Sequence, residues 1–179
     1  MNQSIQMSGQ DSSARIPVLN VAPFLAGEPG AAERLAAEIK QTCEDTGFLV
    51  ISNHGVPQHL IDQAFGTAAD FFALDEDRKM ALRIGEQNIG YLPYGGQTMK
   101  TSTIQVANKP NYSESFYITV PDPDPAMQDV ATDLNKWPPA MPDFKATQTE
   151  YFQTMRALAQ RFLPVFALAL DLPEDFFAE

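Results

Sequence analysis

From Ala31 to Thr46 the chain places Leu35, Ile39, Thr42 and Cys43 at helical spacing, with Glu33, Arg34, Glu38 and Lys40 on the other faces. That pattern predicts an amphipathic helix that buries one stripe. Gly47 follows, where a left-handed residue ends a helix at little cost. Before the helix, "IPVLNVAPFL" (Ile16 to Leu25) reads as a short strand, and Pro17 near its start suits an edge or entry position. After it, "FLVIS" (Phe48 to Ser52) is apolar without polar alternation, the pattern of a strand buried on both faces. Pro57 suits the first turn of a helix, where its missing N–H costs nothing. That helix carries Leu60, Ile61, Ala64, Phe65, Ala68, Phe71 and Phe72 inward. Asp75 is placed to cap a short second helix, with Glu76 and Asp77 at its positive end.

The middle of the chain loses this regularity. "NIGYLPYGGQ" (Asn88 to Gln97) reads as loop with short extended pieces, and "SESFYITV" (Ser113 to Val120) as a strand. "PDPDP" (Pro121 to Pro125) is an extended acidic loop whose Asp122 and Asp124 are solvated, since calcium needs more oxygen ligands in one ring. "KWPPAMP" (Lys136 to Pro142) is a proline-locked connection in which Trp137 buries area and sets the next helix. Phe144, Tyr151, Met155, Leu158, Phe162, Val165, Phe166 and Ala169 then form one stripe of a long helix, with a bend expected at Pro164. "LPEDFFAE" looks like the opening of a further helix, with Pro173 in its first turn. The class is α+β, but three or four short strands complete neither a sandwich nor a barrel.

Composition narrows the partners. At 179 residues the chain is expected to form one domain. Its net charge is -11 and its pI about 4.5, with no cluster of Lys and Arg to displace phosphate counterions. Nucleic acid and anionic membrane surfaces are therefore poor partners. The single cysteine, Cys43, allows no internal disulfide and reads as a small buried hydrophobe. The first fourteen residues are polar and lack a signal-peptide core. No run approaches the roughly 20 apolar residues that span a bilayer, so a cytoplasmic protein is expected. The Asn111-Tyr112-Ser113 sequon is then a chance match.

Only two histidines are present. His54 ends the "FLVIS" strand and is expected to hydrogen-bond nearby backbone, with Asn53 and Gly55 supplying turn geometry. His59 is expected to be exposed on the helix after Pro57.

The segments "IPVLNVAPFL", "AEIKQTCEDTGFLVISNHGVP", "AADFFALDEDRKMAL", "GYLPYG", "SESFYI", "NKWPPAMPDF" and "LALDLPEDFF" occur in an order that covers nearly everything from Ile16 onward. Together they resemble the amino-terminal part of the isopenicillin N synthase-like non-haem Fe(II)/2-oxoglutarate-dependent dioxygenases. Two positions depart from that pattern. Ser113 stands where the family often has a lysine before its glutamate, and Gln97 where a glutamate is common after the "GY" segment.

Residues 1–15 read from their polar composition as a disordered leader. On the resemblance, residues 16–179 would be the N-terminal helical and short-strand portion of a double-stranded β-helix, or jelly-roll, enzyme whose core is largely missing. The resemblance also implies that the complete enzyme uses Fe(II), 2-oxoglutarate and O2 to hydroxylate or desaturate a small organic molecule. The family's H-x-D pair, second histidine and 2-oxoglutarate-binding arginine match nothing here. Ferrous iron asks for two imidazoles and a carboxylate on one face. His59 and Asp62 can share a helix surface, but His54 precedes the proline turn. No metal site and no catalytic residue are therefore expected within this chain, and neither Fe(II) nor 2-oxoglutarate should bind it alone.

For substrate contact in the complete enzyme the resemblance points to Tyr91, with Tyr94 and Lys100 in the same loop. Tyrosine joins an apolar ring to a hydrogen-bonding tip, which suits a pocket wall. Two other readings stay open at this level. One is a stand-alone binding or regulatory module of the same fold, and the other an iron oxidase that does without 2-oxoglutarate. If the chain is the front half of an enzyme, the long helix and "FLVIS" should lack an apolar partner surface, and the isolated chain should associate or be partly molten.

Overall fold

The computed structural model describes residues 15–96, 110–119 and 134–178. The elements run β1 (Val18–Asn20), α1 (Ala22–Leu25), α2 (Ala31–Asp45), β2 (Val50–Ser52), α3 (Gln58–Phe72), α4 (Glu76–Met80), β3 (Gly90–Leu92), β4 (Ser115–Tyr117) and α5 (Pro142–Ala169). Pro164 lies within α5, which is a single helix of 28 residues. The described residues fall into two units, one within Met1–Gly55 and Ala157–Glu179, the other within Val56–Arg156.

In the first unit β1 and β2 pair in parallel, Val18 opposite Val50 and Asn20 opposite Ser52. The strand expected to reach Leu25 stops at Asn20. The Asn20 Oδ1 accepts the Ala22 N–H at 3.1 Å and the Asn53 side chain at 2.9 Å, and Pro23 opens the single turn of α1. Helix α2 buries Leu35, Ala36, Ile39 and Thr42, and Gly47 (φ +71°) follows it in the expected left-handed conformation. Cys43 is exposed rather than buried, although its angle around α2 lies between those of the buried Ile39 and Ala36; it stands in the helix's last turn. Strand β2 is not covered on both faces: Val50 is exposed, as is Phe48 two residues before the strand. The C-terminal part of α5 is held by an edge contact between Phe162 and Phe24 at 5.6 Å and by Arg161 donating to the Leu25 carbonyl at 2.7 Å. Lys40 pairs with Asp171 at 2.6 Å. Beyond α5 the chain makes turns, Phe176 N–H to Pro173 and Ala178 N–H to Asp175, where a helix was expected.

The second unit is built on aromatic packing. Phe71, Tyr91 and Phe144 are its buried centre, with Phe116 and Trp137 packed against it. Phe71 stacks on Phe144 at 5.1 Å and meets Phe116 edge-on at 4.7 Å. Helix α3 buries Leu60, Ala64 and Phe71, whereas Phe65, expected inward, is exposed. At about 100° per residue, Phe65 lies about 140° around the helix from Leu60, while Phe71 returns to within about 20°. Asp75 is the N-cap of α4, but its side chain makes no cap bond. The Arg78 and Lys79 N–H groups bond its carbonyl oxygen instead. Strand β4 is shorter than the sequence pattern suggests. It pairs antiparallel with β3.

Candidate functional site

Gly90 decides the path of the "GY" segment. Its φ of +112° is a glycine conformation, and a side chain there would collide with the carbonyl oxygen of Leu82. That close approach lets the Tyr91 N–H bond Leu82 at 2.8 Å and the Ile84 N–H bond Tyr91 at 2.7 Å. With the backbone so fixed, the ring of Tyr91 enters the aromatic core, edge-on to Phe71 at 6.1 Å and fully buried.

A tyrosine hydroxyl taken out of water needs a partner. Tyr91 donates to Glu114 Oε2 at 2.7 Å, and Lys79 Nζ donates to the same oxygen at 2.8 Å. Lys79 also donates to the Phe72 carbonyl at 3.3 Å, lies 3.5 Å from Glu76 and sits 5.4 Å from the centre of the Tyr91 ring. Only 8% of the Lys79 side chain and 14% of the Glu114 side chain reach solvent. α4 thus supplies the cation, the residue before β4 the anion, and β3 the hydroxyl.

The electrostatics are those of a closed ionic cluster. Burial alone would raise the Glu114 carboxyl, but hydrogen bonds from Lys79 and Tyr91, the Lys79 charge and a further bond from Tyr94 hold it below its ordinary value of 4.5. The Glu114 hydrogen bond raises Lys79 against the opposing effect of burial. Burial and then the bond to Glu114 push Tyr91 up to about 12. Near neutral pH the carboxylate is ionised, the ammonium protonated and the phenol neutral, so the cluster has no proton to exchange. Its chemistry is positional. Truncating Tyr91→Phe keeps the ring and removes one donor, and should cost about 1 kcal/mol in denaturant unfolding.

The residues expected to touch substrate fall differently. Tyr91 and Tyr94 are both brought to Glu114, Tyr91 with its ring inside the core and Tyr94 exposed, its ring tilted against Tyr112 at 5.8 Å. Lys100, like Asp122 and Asp124, lies outside the described residues. His54 follows β2 between Asn53 (φ +58°) and Gly55 (φ +77°), the expected turn residues. His59 is exposed, and Asp62 accepts a bond from Gln58 at 2.8 Å. Among the described residues no three His, Cys, Asp or Glu side chains converge to hold a metal. They do not fit an iron site. The second unit also carries an apolar cleft of about 300 Å3 lined by Phe72, Phe116, Ile118, Phe144 and Phe152. Its Gln148 is already bonded to Ala64 and Thr67 of α3.

Lys79 and Glu114 are the residues that sequence reasoning missed. They stand 35 positions apart, and Lys79 follows the acids Asp75, Glu76 and Asp77 in a short helix that local pattern gives no reason to bury.

Residues 16–140 match the family described as the non-haem dioxygenase in morphine synthesis N-terminal domain. The chain belongs to this family. Two curated relatives of this dioxygenase N-terminal family member illustrate its range. It is 30% identical over 168 residues to the 2-oxoglutarate-Fe(II) type oxidoreductase hxnY of Emericella nidulans, covering 90% of this chain and 47% of the relative. It is 32% identical over 148 residues to azadirone synthase LFS of Melia azedarach, covering 80% and 43%. Among solved structures it resembles a 2OG-Fe(II) oxygenase family protein from Caulobacter crescentus, with 27% identity, a TM-score of 0.69, and 90% of this chain but 50% of the other covered. The dioxygenase for auxin oxidation in rice shares the fold at 24% identity and a TM-score of 0.59, over 88% of this chain and 46% of the other. The chain spans about half the length of the relatives it matches. The fold is the expected α+β portion, and the described residues hold no jelly-roll core. No helix among them is long and apolar enough to cross a membrane.

Proposed function

We propose that residues 16–179 are the N-terminal portion of an Fe(II)/2-oxoglutarate-dependent oxygenase that hydroxylates or desaturates a small organic molecule with O2. The observation that carries this reading is the family match over residues 16–140 in a chain spanning about half of its relatives. The metal-ligating residues then belong to polypeptide beyond Glu179, and the 179-residue portion is inactive alone. In the complete enzyme the Gly90–Tyr94 segment borders the substrate cavity. Tyr94 offers an exposed ring, Lys100 follows six positions on in the sequence as a further candidate for substrate contact, and Tyr91 acts as the segment's anchor through Glu114.

The test compares the 179-residue chain with the longer polypeptide under identical conditions. Anaerobic Fe(II) titration followed by succinate release from 2-oxoglutarate should give no stoichiometric metal binding and no turnover for the short chain. The longer polypeptide should show both. Tight one-to-one Fe(II) binding by the short chain would sink the proposal, as would a longer polypeptide that releases no succinate with any small-molecule substrate offered.

A further inference from the structure

In the second unit two large rings stand in the open beside the ionic cluster. Tyr94 is 56% exposed and Tyr112 97% exposed, and their rings meet at 5.8 Å with a tilt of 45°. Both sit on fixed backbone. The Gly96 N–H bonds the Pro93 carbonyl at 2.9 Å and closes the turn that carries Tyr94. The Gly95 N–H bonds the Asn111 carbonyl at 3.1 Å and joins that turn to the segment that carries Tyr112. The Tyr94 hydroxyl also bonds Glu114, which Lys79 and the buried Tyr91 hold at 2.8 and 2.7 Å. Rings exposed on ordered backbone are preorganised, so a ligand laid against them costs little conformational freedom. Residues 93–96 and 110–113 carry no charged side chain, in a chain of net charge -11. The pair therefore offers π faces without a counter-charge.

We propose that Tyr94 and Tyr112 together form an aromatic contact for the substrate, and that the substrate presents to them a flat, uncharged aromatic ring. The inference rests on the function proposed above and names the class of molecule that the enzyme oxidises. Ring-on-ring packing, offset or edge-on, adds to simple area burial and so favours a π-rich ring over a saturated one of equal size. A charged group set against this patch would lose water and find no ion to replace it. Tyr112 adds to the site a residue outside the Gly90–Tyr94 segment, brought there by the bond between Gly95 and Asn111.

Fluorotyrosine labelling with fluorine NMR tests the pair. The chain has five tyrosines, and the buried Tyr91 and the distinct Tyr117 serve as internal controls. The probes are 2-naphthol and decahydro-2-naphthol, its saturated counterpart with the same carbon skeleton and hydroxyl. In the 179-residue chain and in the longer polypeptide, 2-naphthol should shift the Tyr94 and Tyr112 signals saturably. Decahydro-2-naphthol should shift them about fivefold less at equal concentration. Tyr112→Leu keeps an apolar side chain at an exposed position, so it should leave the Trp137 unfolding transition unchanged and cut the Tyr94 shift about fivefold. Equal shifts from the two probes, or no shift in the longer polypeptide, would overturn the inference whatever the succinate assay gives. A shift largest at Tyr151, which lines the apolar cleft, would move the ligand there and overturn it too. A longer polypeptide that binds 2-naphthol at the pair but releases no succinate would uphold the contact and overturn the oxygenase reading.

Discussion

Phe71→Ala is expected to destabilise the second unit by about 4 kcal/mol, the range for emptying a buried aromatic position. Phe71 has no solvent exposure and is the hub of the cluster, within ring-contact distance of Phe72, Tyr91, Phe116 and Phe144. Those neighbours are themselves rings, and a planar group cannot flow into a void as an aliphatic chain can. Trp137, the single tryptophan, packs edge-on to Phe144 at 6.1 Å, so its fluorescence reports the transition in denaturant. Phe65→Ala makes the same chemical change elsewhere on the same helix. Phe65 is exposed, so its cost should stay within about 0.5 kcal/mol. Equal losses for the two variants would mean that α3 packs by a different face.

Glu114→Ala should cost about 3 kcal/mol, because it leaves a buried ammonium without its principal counter-charge. It also strands the Tyr91 hydroxyl, whose acceptor is the same oxygen. Removing both charges, as in Lys79→Met with Glu114→Gln, should cost less than Glu114→Ala alone, since the desolvation penalty disappears with the ions. A double variant less stable than the single one would show that the pair itself, and not the orphaned charge, carries the energy.

The same cluster sets a pH dependence. Glu114 titrates below its ordinary value in the folded state. Its contribution is therefore complete above a pH of about 4.5 and is lost as pH falls through the depressed value. Tyr91 and Lys79 are raised, so their contributions are complete below their ordinary values of 10.0 and 10.5. Tyr91's is lost as pH rises through about 12. Stability should be level through neutral pH and fall on the acid side. In Glu114→Ala the acid-side fall should be shallower, measured as the change in Trp137 unfolding midpoint between about pH 7 and about pH 3.

Much of the scaffold was legible because local pattern and local physics agree. Gly47 and Pro57 bracket elements by backbone chemistry that depends on no distant contact; Gly47 stands where the pattern placed it, and Pro57 is the extended N-cap of α3, one position before the helical turn expected for it. The stripe of α5 gave a long helix, and Leu158, Phe162, Val165 and Ala169 are among its buried positions. The early stop of β1 was also local: an asparagine that bonds two residues ahead, followed by a proline, ends a strand. Periodicity was less able to choose between neighbouring positions at a stripe's margin. Phe65 fits a helical repeat but lies outside the face that packs, whereas Cys43 lies within the angular range of the buried stripe and is exposed in the last turn of its helix.

The sequence by itself determined the family and most of the element order, because both rest on residue type and spacing along the chain. Tertiary structure alone decided that Lys79, Tyr91 and Glu114 share one oxygen. It also decided that Val18 and Val50 stand side by side in the open. The physical reason is the same in both cases. Burial and charge pairing are properties of a residue's surroundings, and those surroundings are contributed by segments 23 to 35 residues away in the cluster.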